Sequence, residues 1–165
     1  MYMRFSNDEI EKLKPLVASE RYVKEAKGKS YHFVLGVLYE LLEKKPQFIA
    51  WAYLRATWEN EGKPDYDAAA KKALEFFAKA SAKIKAELKD GEKPGGKYFK
   101  NLCVAIELSR RIKNFDEAKK LIAAARLEMQ DASNQFLLKV LDYEEKLATE
   151  TDSAPHPISD VDKTL

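Results

Sequence analysis

Helical periodicity runs through almost all of the 165 residues, and the helix breakers fall between the periodic segments instead of inside them. Such a pattern leaves no room for strands, so an all-α fold is expected. "SYHFVLGVLYELLEKK", about residues 30 to 45, is apolar in nearly every direction around its axis, as a central, buried helix is. "QFIAWAYLRATWENEG" puts Trp51, Leu54 and Trp58 on one face and is ended by Gly62 and Pro64. The Ala-rich segment after it carries Ala73, Phe77, Ala80, Ile84 and Leu88 at three-and-four spacing. Beyond the loop "DGEKPGGK", Phe99, Leu102, Ile106 and Ser109 share one side of a further helix. Asn114 interrupts briefly, and "FDEAKKLIAAARLEM" and "NQFLLKVLDYEEKLA" follow. With a first helix capped at Ser6 or Asn7 and ended near Pro15, the count is about seven, antiparallel because their connections are short.

Composition sets the bounds on what those helices do. Hydrophobic content of 45% supports a core, charged content of 34% a solvated surface, and the length suits one domain. That domain is expected over residues 1–148, with residues 149–165, "TETDSAPHPISDVDKTL" from Thr149, as a flexible tail; deleting residues 150–165 is expected to leave the melting temperature nearly unchanged. A net charge of +2 lacks the positive field of a dedicated nucleic-acid binder. Cys103 is the only cysteine, which excludes an intrachain disulfide and a Cys-based zinc site. No apolar run reaches signal-peptide length or the roughly 20 residues needed to cross a bilayer, so a cytoplasmic protein away from the membrane is expected.

The chemistry-bearing residues weaken on inspection. "GKS" at Gly28–Ser30 ends like a phosphate-binding loop, but Val23 stands where its first glycine belongs and no strand precedes it. His32 lies on a helix apolar nearly all round, Cys103 sits among apolar neighbours, and His156 falls in the tail. The lysines from Lys71 to Lys100 are interleaved with acids, as on a solvated helix face, and show no aromatic platform for nucleic acid. These readings point away from an enzyme and imply no cofactor and no metal.

Repeat spacing is the remaining signal. Trp51, Leu54 and Trp58, then Gly62 and "DYDAA", follow the order of a helix pair; Asn114 to Ala118 give the turn and second-helix start of another, with Ile122 and Ala125 as packing residues, while Leu102, Ala105, Ile106 and Ser109 stand where its first helix would carry the bulky-and-small pattern. His32, Leu35, Gly36 and Tyr39 keep the same offsets before Pro46 intervenes. On these residues the chain resembles the TPR-like superfamily over about residues 30 to 147, with degenerate motifs, most clearly at 48–89 and 97–129. The bland counterpart is an irregular helical bundle whose spacings report core packing. "YLRATW" together with "ELSRRIKNFDEAKKLI" is also similar to the helical half of a bacterial family of unestablished function, whose cysteine-rich half this chain lacks.

The resemblance implies a right-handed helical array and a concave groove that binds a protein or peptide partner. Its positions correspond to Tyr53 and Ala56 in one helix pair, and to Lys100, Cys103, Glu107, Arg110 and Arg111 in the other. Arg110 and Arg111 would favour an acidic segment, since guanidinium groups bond carboxylates in pairs. The function expected is thus a protein-binding module or scaffold, with self-association as one form of it. The alternative is a small-ligand sensor with an aromatic pocket near His32, Tyr39, Trp51 and Trp58.

Overall fold

Ser6 opens the first helix in the computed structural model, which describes residues 5–129 and 135–163. Its hydroxyl accepts from the Glu9 N–H at 3.3 Å while the Glu9 carboxylate accepts from the Ser6 N–H at 3.0 Å, the reciprocal capping box that the sequence announces. Helix α1 spans Asn7–Leu16, with Pro15 in its last turn. There follow α2 Glu20–Ala26, α3 Tyr31–Leu41, α4 Pro46–Glu59, α5 Tyr66–Ala86, α6 Gly96–Arg111, α7 Phe115–Glu128 and α8 Gln135–Thr149. A 3-10 helix, Ile158–Lys163, is the last described element. The described residues are all-helical, without a strand, and none of their helices is long and apolar enough to cross a membrane.

Among the described residues there are eight α-helices, where about seven are expected from the sequence. The additional one is α2, a single charged stretch of two turns capped by Ser19, whose side chain accepts from the Tyr22 N–H. The chain divides into two compact units, Met1–Phe76 and Phe77–Leu165, with the division inside α5.

In the first unit the core forms where α3 meets α4. Gly36 allows it: a Cβ there would fall 2.7 Å from the Tyr53 ring, so only glycine admits the approach. Phe33 meets that ring edge-on at 5.1 Å and Phe76 stacks at 6.2 Å. Leu54 is buried as its face predicts, but Trp58 is 59% exposed and leaves the packing stripe.

In the second unit α6, α7 and α8 pack around Tyr98, Leu102, Ile106, Ala118, Ile122 and Leu141. The turn between α6 and α7 follows from two neighbouring residues. Lys113 takes a left-handed φ of 62°, and the Asn114 side chain accepts from the Glu117 N–H. Residues 150–163, read from composition as a tail, are folded against α6 and α8, with Val161 only 2% exposed.

Candidate functional site

Along α6, Cys103, Glu107 and Arg110 recur at four- and three-residue spacing, which places them on one helical face. Val140 with Tyr143 and Glu144, three and four residues on, share a face of α8. The segment after α8 crosses between these faces, leaving a cavity of about 290 Å³ bounded by all three.

Arg110 organises this site. It is 1% exposed, and a buried guanidinium is tolerated only when its charge and donors are matched. Its Nε donates to Glu144 Oε2 at 2.8 Å, while Nη1 donates to the main-chain carbonyl oxygens of Asp152 at 2.8 Å and Ala154 at 2.9 Å. The charge is met by Glu144 and the remaining contacts are made to peptide backbone.

The segment is also braced from within. Asp152 accepts from the Ala154 N–H at 2.7 Å and lies 2.9 Å from His156 Nε2. These two bonds hold its carboxyl below the usual carboxylate range. His156 Nδ1 is 4.0 Å from Asp160, and the Tyr143 ring meets the imidazole edge-on at 5.9 Å. Burial pushes the Tyr143 phenol up and the Cys103 thiol up to about 11, so the thiol that borders the cavity is no ready nucleophile.

The groove residues read from sequence divide between the units. Glu107 borders the cavity and Arg110 binds the segment, whereas Arg111 is half-buried and Lys100 exposed on the same helix. Tyr53 and Ala56 are both fully buried. Tyr53 instead donates to Glu40 at 2.5 Å, and Glu40 also accepts from Arg21 at 2.9 Å and Lys72 at 2.9 Å. Burial, with Glu40 beside it, drives the Tyr53 phenol well above its ordinary value.

None of the four residues of the alternative pocket lines the α6–α8 cavity. His32 Nδ1 lies 2.6 Å from Glu59 Oε1, and its main-chain N–H donates to Glu59 Oε2 at 3.0 Å. Burial works to raise the Glu59 carboxyl, but the His32 hydrogen bonds outweigh it and hold that group below its usual range. Tyr39 is buried against Phe5, Trp51 is half-buried, and Trp58 faces solvent. Lysines of α5 are likewise engaged: Lys72 with Glu40, and Lys85 with Glu128 at 2.5 Å beside a second cavity of about 420 Å³ at Leu88, Pro94 and Leu127.

Glu144, Asp152 and Val161 escaped the sequence reading. The available signal was the spacing of Asp152, His156 and Asp160 at successive four-residue steps, with Val161 as an isolated apolar residue. Compared with known proteins, the chain matches no family model, no curated protein and no solved structure.

Proposed function

We propose that the chain is a non-enzymatic protein-interaction module that takes an extended peptide on the face between α6 and α8. In this reading α6, α7 and α8 form a TPR-like pair-and-a-half, with α6 and α8 presenting the concave side. The observation that carries it is the way Arg110 holds its occupant: two main-chain carbonyls within 2.9 Å, on a segment that is neither helix nor strand there. Contacts to backbone give affinity that depends weakly on sequence, while side pockets supply selectivity. Glu107, Tyr143 and the apolar Val104 and Val140 border the space beside the occupant.

The test is a random-peptide library panned over the full chain carrying Val161→Asp, which ejects the buried C-terminal anchor. Peptides enriched on that protein and lost when Val104→Arg is added, at matched circular dichroism, support the reading. No enrichment, or enrichment indifferent to Val104, contradicts it.

A further inference from the structure

The segment from Asp152 to Val161 touches the rest of the second unit in a way that separates it from the core beneath. Its connection to α8 turns at Thr151, whose φ of 55° is left-handed, a conformation a β-branched residue rarely adopts. The turn is pinned by the Asp152 N–H donating to the Leu147 carbonyl at 2.9 Å. Beyond it, Arg110 holds the carbonyls of residues 152 and 154, and Val161 is buried, while Ile158 between them is 61% exposed. Two anchors are thus joined by a bridge, with open space of about 290 Å³ remaining alongside.

We infer that residues 152–161 are a self-ligand: they occupy the α6–α8 face as a partner peptide would, and a partner must displace them. This rests on the peptide-binding reading of that face, and it specifies the partner's chemistry. The partner is a segment that is non-helical at its start and turns into a 3-10 helix at its end, with an aspartate whose carboxylate braces the N–H two residues on, as Asp152 braces Ala154. It carries a β-branched apolar anchor seven residues after that small residue, as Val161 follows Ala154. Arg110 reads only the backbone of this segment and keeps its charge for Glu144, so the aspartate is selected by the brace it makes within the segment.

Magnitude decides who wins this competition. A segment tethered by a short connection is present at an effective concentration on the order of millimolar, so a free peptide making the same contacts loses to it at micromolar levels. A partner gains the site when its own contacts are stronger, or when the turn at Thr151 opens.

The probe is a fluorescein-labelled peptide of residues 150–163, titrated by anisotropy into the full wild-type chain and the full Val161→Asp chain. Binding to the variant at least about tenfold tighter than to wild type is expected, because the wild-type face is free only in the fraction of molecules whose segment is open. Equal binding to both chains, or binding to neither, overturns the inference. A wild-type measurement covers the case in which the variant fails to fold: millimolar unlabelled peptide should speed hydrogen exchange at the chain's own Asp160 amide and leave α7 amides unchanged, and no acceleration overturns the inference. If panning yields peptides while this probe fails, the groove stands and the self-ligand falls; if both fail, the groove falls too.

Discussion

Arg110 on α6 donates through Nε to Glu144 on α8 at 2.8 Å, with the guanidinium 1% and the carboxylate 11% exposed in their side chains. Removing one partner of such a pair leaves a buried charge unmatched, at a cost of about 3–5 kcal/mol. Arg110→Met should therefore lower unfolding free energy by about that amount in urea titrations. The double variant Arg110→Met/Glu144→Leu should recover the part due to the unmatched Glu144 charge, since well-packed apolar pairs often replace buried ion pairs without penalty, but not the part due to the Asp152 and Ala154 carbonyls that lose their donor. A single-variant loss below about 1 kcal/mol, the range of an exposed pair, would place Arg110 in solvent.

Gly36 faces the Tyr53 ring at a distance no Cβ tolerates, 2.7 Å. At an exposed helical site Gly→Ala stabilises by about 1 kcal/mol. Here overpacking against a ring fixed by Glu40 should reverse the sign, and Gly36→Ala should destabilise by about 1–3 kcal/mol. A rise in melting temperature would mean that α3 and α4 are farther apart.

Thr151 holds a φ of 55°, and Asn tolerates that region far better than a β-branched residue. Thr151→Asn should stabilise by about 1 kcal/mol, read as a raised melting temperature with an unchanged m-value. Thr151→Pro should do the opposite, because proline's ring fixes φ near −65°.

Removing residues 150–165 should lower stability by about 2–4 kcal/mol through exposure of the Val161 site and the loss of charge-assisted bonds to Arg110. This reverses the expectation from composition, and calorimetry of the truncated chain decides between them.

The Asp152 carboxyl sits below its ordinary value of 3.8 because the Ala154 N–H and the His156 ring bond its charged form. Its contribution to stability is therefore present above that value and is lost as pH falls through the lower folded-state value. His156→Phe should raise the Asp152 value towards 3.8 in a carboxyl NMR titration, with Glu59 in the other unit unmoved. An unmoved Asp152 would separate it from His156.

Much of the helical pattern was legible because it is local. The Ser6–Glu9 box, the Asn114 cap and the apolar stripe of α6 all act within a few residues. α2 was missed because two charged turns leave little periodicity to detect. The site was only half legible. Arg110 at a helix C-terminus reads equally well as a solvent-facing residue placed there by the helix dipole. Nothing near it in sequence announces that the carbonyl it needs lies 44 residues on. Tyr53 was assigned to a groove by the spacing of its neighbours, whereas its burial follows from Gly36 and Glu40, which that spacing ignores. The final segment reads as polar and Pro-containing, and its single buried valine is too small a signal for composition to register.

The most direct measurement is native-state hydrogen exchange by NMR on the full chain, followed at the amides of Asp152, Ala154 and Asp160, which donate to Leu147, Asp152 and Pro157. A segment seated on α6 and α8 should show these amides protected and opening together, at a free energy below that of the α6 and α7 core. Exchange at the rate of a free peptide would mean that the α6–α8 face is empty and that Arg110 has other partners.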